Sequence, residues 1–247
     1  MKVLLITGGS RGIGAATARL AAQRGYHIIV TYLHNQVAAD RVVADILANG
    51  GRALALAADV GVEQEIVRVF DYITNQIGPL DALVNNAATL EQQMRVDQMD
   101  MARLQRIFTT NVFGAFICAR EAVRRMSTAY GGAGGAIVNV SSGVARLGAP
   151  NEYVDYAASK GAIDTFTIGL VKEVATEGIR VNAVRPGIIH TDFHARGGEP
   201  GRVERVSSSI PMQRGGQVEE VAHAILWLLS DEASYVTGAC LDVAGGR

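Results

Sequence analysis

Short apolar runs recur along the chain, and most are followed by a longer stretch with helical spacing. Seven strands are predicted: Val3–Thr7, His27–Tyr32, Ala53–Ala57, Asp81–Val84, Ile137–Val140, Ile179–Val184 and Cys240–Val243. Helical patterns fill the gaps. They run from the glycine turn after Thr7 to about Arg24, over Val37–Ala48, from Val62 to about Gln76, through Asn111, from Val112 to about Met126, through Tyr156 to about Thr176, and over Gln217–Leu229. Gly25, Asn49-Gly50-Gly51, Gly78-Pro79 and Gly178 stand as stops. Strands alternating with helices argue for one doubly wound parallel α/β sheet covered on both faces. No repeat or linker divides residues 1–247, which predicts a single domain. Residues 192–210 lack periodicity and carry Gly197-Gly198 and Pro200-Gly201, so a mobile lid is expected around 190–212.

Composition narrows the function classes. Of 247 residues, 49% are hydrophobic and 19% charged, which is globular, and the net charge of −1 favours neither nucleic acid nor an anionic membrane as partner. No run approaches the ~18 apolar residues of a membrane span. The chain enters a strand at Val3, which leaves no room for a signal peptide. Cys118 and Cys240 are the only cysteines and read as free thiols in a reducing cytosol.

The first strand leads into Gly8-Gly9-Ser10-Arg11-Gly12-Ile13-Gly14 and then a helix. Glycines let backbone N–H groups approach a phosphate, and a helix N-terminus favours an anion. The end of the second strand, Val30 to Asn35, has no carboxylate to hold an adenosine ribose, whereas Arg11 offers a cation. That combination suits a 2′-phosphate and favours NADP(H), with NAD(H) as the alternative. The structural alternative makes Arg11 a solvated loop charge. Asp59 is placed to meet an adenine edge or, equally, to cap the helix near Val62. Asn85 and Asn86 offer amides at a strand end, a place where turn chemistry alone also puts asparagine. Asn111 is an odd residue within a helical stretch and reads as a partnered polar group or a helix bend.

The stretch Ala136 to Lys160 carries the reactive chemistry. Ser141 and Ser142 end a strand, and Tyr156 and Lys160 share a helix face at i, i+4. A free tyrosine has a pKa of about 10. An ammonium at roughly 4 Å supplies about 4 kcal/mol at an effective dielectric of about 20, and about 1 kcal/mol in water. A lysine in a partly dry cleft is therefore expected to lower the tyrosine pKa and make Tyr156 a general acid/base. Ser142 is then expected to hold the substrate oxygen. His190 and His194 stand four apart with no third ligand, so no metal site is read there.

In order and spacing these motifs resemble the short-chain dehydrogenase/reductase family along essentially the whole chain: Thr7-Gly8-x-x-x-Gly12-x-Gly14, Asn85-Asn86-Ala87, Asn111, Ser142, Tyr156-x-x-x-Lys160 and Pro186-Gly187. The resemblance implies a Rossmann-type fold and a catalytic set of Asn111, Ser142, Tyr156 and Lys160. It further implies cofactor contacts from Gly8, Arg11, Gly12, Ile13, Gly14, Asp59, Val60, Asn86, Ala87, Tyr156, Lys160, Pro186, Gly187, Ile189 and Thr191. Ala88 departs from the family's usual glycine. Ser142 and Tyr156 stand 14 apart, one more than is commonest, which brings in Ser141 as the alternative to Ser142. The pattern is similar to 3-oxoacyl-carrier-protein reductases and to glucose-dehydrogenase-like members. It implies hydride transfer between NADP(H) and a small carbonyl or secondary-alcohol substrate, in a homotetramer or homodimer. Val144, Leu147, Tyr153, Ile188 and Phe193 are expected to wall a partly apolar pocket. A non-enzymatic dinucleotide sensor is the competing function.

Overall fold

A computed structural model describes all residues 1–247. Seven parallel strands form one sheet in the order β3-β2-β1-β4-β5-β6-β7. They are β1 Val3–Ile6, β2 His27–Tyr32, β3 Arg52–Ala57, β4 Ala82–Asn85, β5 Gly135–Val140, β6 Ile179–Pro186 and β7 Cys240–Val243. Each agrees with its predicted run to within two residues. β1 pairs with both β2 and β4 (Ile6 opposite Val30 and Val84), so the strand order reverses at β1. Open α/β sheets bind ligands at the carboxyl ends of the strands beside such a reversal.

The helices are α1 Gly12–Gln23, α2 Gln36–Ala48, α3 Glu63–Tyr72, α4 Met101–Phe108, α5 Gly114–Met126, α6 Val144–Leu147, α7 Val154–Val174, α8 Phe193–Arg196, α9 Arg202–Val206 and α10 Val218–Leu229. Alternate side chains of each strand feed two cores. Leu4, Ile6, Ile28 and Val30 pack with Ala15 and Ala18 of α1, Val42 of α2, and Val221 and Ile225 of α10. Val3, Leu5 and Ile29 pack on the other face with Ile66 and Phe70 of α3, Cys118 and Ala122 of α5, and Leu170 and Val174 of α7. No helix is long and apolar enough to cross a membrane.

Three departures bear on function. The helical pattern through Asn111 is α4 and α5 joined by a π-turn, Thr109–Phe113, with Asn111 buried in it. The loop after Ser142 contains α6, a single turn closed by Gly148 in the left-handed region. The aperiodic stretch after residue 191 holds two short helices, α8 and α9, tied down by charges. Such short helices carry too few turns to show a period in sequence.

Candidate active site

A cleft of about 380 Å³ opens over the carboxyl ends of the strands, lined by the glycine turn, the ends of β2 to β6, and the segment after β6. Gly8 and Gly12 adopt positive φ, +64° and +53°. A Cβ at Gly8 would stand 2.9 Å from the Ala87 Cα, and one at Gly14 2.6 Å from the Asn86 Nδ2. The turn is thus pressed against the end of β4, an approach that only glycine permits. The Asn86 side chain donates to the carbonyls of Thr7 and Gly8, both at 2.9 Å. The backbone N–H groups of Asn86 and Ala87 both donate to the Thr7 hydroxyl at 3.0 Å. Asn86 therefore staples the turn through its side chain. Thr31, which the sequence reading passed over, accepts the Gly8 N–H at 3.2 Å. Its only local signal was its place near the end of the second strand.

The start of α1 is left open. Arg11 precedes it in an extended conformation, with no side-chain cap and no acidic residue in the first turn. The unpaired N–H groups and the dipole of a 12-residue helix there favour an anion. The exposed Arg11 side chain forms no ion pair within the chain. Partial burial lowers its pKa, and Asp192 opposes that shift. At the end of β2, Asn35 is spent on capping α2, accepting the Ala38 N–H at 3.0 Å, while Thr31, Tyr32, Leu33 and His34 line the cleft without a carboxylate.

Asp59 and Val60 line the cleft at the end of β3. The capping alternative for Asp59 fails. α3 begins at Glu63 with no side-chain cap, and the Asp59 carboxylate accepts the Gly61 N–H at 2.8 Å instead. At the end of β6, Pro186, Gly187, Ile189 and Thr191 reach the cleft, and Thr191 lies against Gly12. A Cβ on Gly187 would stand 2.7 Å from the Ala244 Cα, so that glycine lets β6 lie close to the chain after β7. The His194 ring hydrogen-bonds the Ile189 carbonyl at 3.0 Å.

Ser142, Tyr156 and Lys160 all line the cleft. The two serines part company at the strand end. Ser141 is buried and donates to the Lys160 carbonyl at 3.1 Å, whereas the Ser142 hydroxyl lines the cleft together with Tyr156 and accepts the Val144 N–H at 3.4 Å. The Tyr156 ring lies 5.8 Å from the Phe193 ring, and Leu90, Tyr153 and Val144 complete an apolar wall. Ala88 lines the cleft beside them.

The Lys160 ammonium donates to the Val140 carbonyl at 2.7 Å and sits 5.6 Å from the centre of the Tyr156 ring. Burial pushes its pKa down to about 8, with Asp164 opposing. The tyrosine departs from expectation. Burial raises the Tyr156 pKa well above the ordinary phenol value, and the neighbouring Ser142 hydroxyl opposes the rise. Desolvation of the phenolate dominates, and the Lys160 ammonium is turned to the Val140 carbonyl rather than to the phenol oxygen.

Asn111 does not contact the phenol. Its Oδ1 accepts the Thr89 N–H at 2.7 Å, and its Nδ2 donates to the Thr89 carbonyl at 3.1 Å and to the Ser159 hydroxyl at 3.1 Å. It ties the loop after β4 to the helix that carries Tyr156 and Lys160. The π-turn supplies the extra residue that aims it there.

The segment after β6 is clamped across the cleft mouth. Arg202 pairs with Glu152 at 2.5 Å and Glu199 at 2.9 Å and lies over the Tyr153 ring. Arg205 pairs with both carboxylates as well. Tyr153 donates its hydroxyl to the Gly197 carbonyl at 2.9 Å, and Gln93 reaches Glu199 at 2.7 Å. These residues carry no motif and went unread in the sequence, apart from Tyr153 as a wall residue.

A family model described as Enoyl-(Acyl carrier protein) reductase matches residues 8–247. The chain is 60% identical over 247 residues, all of both chains, to a protein named uncharacterized oxidoreductase YgfF of Escherichia coli strain K12. It is 37% identical over 246 residues to a 3-oxoacyl-acyl-carrier-protein reductase of Synechocystis, covering 99% of this chain and 96% of that one. Among solved structures, a short-chain dehydrogenase from Burkholderia cenocepacia in complex with NADP superposes with a TM-score of 0.90 at 31% identity, covering 99% of this chain and 97% of that one.

Proposed function

Because this chain belongs to the short-chain dehydrogenase/reductase family and is an NAD(P)-dependent oxidoreductase, we propose that it interconverts a carbonyl compound and its alcohol using NADP(H), with Tyr156 as general acid/base. The observation that carries this reading is that Ser142, Tyr156 and a buried Lys160 line one cleft, with the Lys160 ammonium 5.6 Å from the centre of the Tyr156 ring.

The chain's own residues fit a dinucleotide. The uncapped start of α1 beside a side-chain-free Gly12 makes an anion cradle, and Asp59 and Val60 line the far end of the cleft. Arg11, with no carboxylate across from it on β2, suits the additional phosphate of NADP(H). When bound, the nicotinamide supplies or accepts a hydride at the substrate carbon.

Ser142 donates a hydrogen bond to the substrate oxygen and holds it beside Tyr156. The phenol, kept neutral by burial, is the proton donor to that oxygen during reduction. In the reverse direction it must lose its proton, and the charged Lys160 stabilises the phenolate. With a pKa of about 8, Lys160 holds that charge at neutral pH and gives it up in mild alkali. Asn111 positions rather than reacts, holding the Thr89 backbone and Ser159 in place. The apolar wall of Leu90, Tyr153 and Phe193 favours a substrate with a hydrocarbon flank. The same reading includes a homotetramer, supported by the exposed Phe113, Phe116 and Ile168 on α5, its π-turn and α7.

Tyr156→Phe removes the transferable proton while leaving the ring. It is expected to lower turnover of a carbonyl panel by about 10²- to 10⁴-fold and to leave NADPH binding by fluorescence titration unchanged. A fully active variant would sink the assignment.

A further inference from the structure

The segment from Arg103 to Asn111 lies behind the reactive residues, yet it reaches the backbone of Tyr156 from two directions. Arg103 and Asp155 form an ion pair at 2.7 Å whose side chains are 4% and 0% exposed. The second carboxylate oxygen of Asp155 accepts the Tyr156 N–H at 2.8 Å. The Arg103 Nη1 also donates to the Gln92 carbonyl at 2.7 Å, in the loop that walls the cleft. On the other side, the Ser159 hydroxyl donates to the Tyr156 carbonyl at 2.7 Å and accepts from Asn111.

We propose that Arg103 and Asp155 are a positioning pair for Tyr156, holding its backbone N–H and the Gln92 carbonyl at a fixed separation so that the phenol meets a substrate seated against the 89–92 loop. The inference rests on the reading of Tyr156 as acid/base. A buried ion pair adds little stability over apolar residues of the same volume, so stability alone does not account for this one. Its hydrogen bonds do. One oxygen satisfies an orphan N–H in the first turn of α7, where a carboxylate also matches the helix dipole. The planar guanidinium serves the other oxygen and a carbonyl of a different segment at once, which a lysine cannot do in that geometry.

The test compares wild type with Asp155→Asn, with the paired variant Arg103→Met/Asp155→Leu, and with Tyr156→Phe. NADPH oxidation is followed with propanal, acetophenone and ethyl acetoacetate as probes. The paired variant removes both charges together but leaves the Tyr156 N–H and the Gln92 carbonyl without partners, so it is expected to fold with a melting temperature several degrees lower and to keep its KM for NADPH. Its kcat is expected to fall on the order of a hundredfold, the cost of misplacing a reacting group by about 1 Å. Exchange of the Tyr156 amide hydrogen is expected to quicken, a readout that needs no substrate. A paired variant that folds and retains wild-type kcat overturns the proposal. So does loss of folded protein in both pair variants, which would make the residues structural. A fully active Tyr156→Phe overturns the underlying acid/base reading instead, and inactive Tyr156→Phe beside a fully active pair variant overturns this inference alone.

Discussion

The two sides of the cleft are held by different forces. On the glycine-turn side, neutral hydrogen bonds and close backbone packing do the holding. Asn86 staples two carbonyls, Thr7 and Thr31 gather N–H groups, and missing Cβ atoms let β4 lie against the turn. The one cation there, Arg11, stays unpaired. On the α7 and α9 side, charge does the holding: Arg103 with Asp155, and Arg202 and Arg205 with Glu152 and Glu199. The first side is shaped before a ligand arrives and answers to sterics. The second is held by charge pairs, of which the one at Glu199 responds to pH.

Sterics on the turn side give the larger expected effect. Gly14→Ala places a Cβ 2.6 Å from the Asn86 Nδ2 and 2.7 Å from the Gly8 carbonyl. Alanine would ordinarily favour a helix by about 1 kcal/mol, but overpacking of this kind costs about 1–3 kcal/mol. The variant is expected to melt lower and to lose more than tenfold in NADPH affinity. Gly169→Ala, in α7 with open space around the new Cβ, is the control and is expected to melt slightly higher. Equal behaviour of the two glycines in a thermal melt would contradict the steric account.

Next in size is the unpaired cation. Arg11→Ala is expected to weaken NADPH by about tenfold, the range of one charge-assisted hydrogen bond, and to leave NADH nearly unchanged. Calorimetric titration with each cofactor checks it, and equal losses would remove Arg11 as the discriminator.

The smallest effect belongs to the charged side. Arg205 and Arg202 hold the Glu199 carboxyl down to about 2, against an ordinary value of 4.5. A depressed carboxylate contributes stability that is present in full above pH 4.5 and is lost as pH falls toward 2. Hydrogen-exchange protection around residues 193–206, taken relative to the intrinsic exchange rate at each pH, is expected to fall across that window before the sheet melts. Gly197–Arg205 protection that stays flat from pH 5 to about 2 would show that the ion pairs do not hold the segment.

Legibility in the sequence follows the same divide. The strands were readable because each is a short apolar run between punctuating residues, and the glycine turn because its chemistry is contiguous. Ser142, Tyr156 and Lys160 were readable because a strand end and an i, i+4 spacing bring them together. Arg103 and Asp155 stand 52 residues apart, and Arg202 and Glu152 50 apart. Nothing local marks a charge that will be buried against a distant partner. The Tyr156 pKa was misjudged for a related reason. Sequence shows that a lysine is near, but not that its ammonium is turned to Val140 or how dry the phenol becomes. Asp59 was ambiguous until the start of α3 was known.

The π-turn at Thr109–Phe113 amounts to one surplus residue inserted into what would otherwise be an unbroken helix from α4 to α5. Each α-helical residue advances the side-chain direction by about 100°. A helix without the surplus would aim the residue at this position away from Thr89 and Ser159, about 100° around the axis. Deleting one residue of the π-turn is expected to join α4 and α5 into one regular helix and to release the loop at Thr89 from the helix at Ser159.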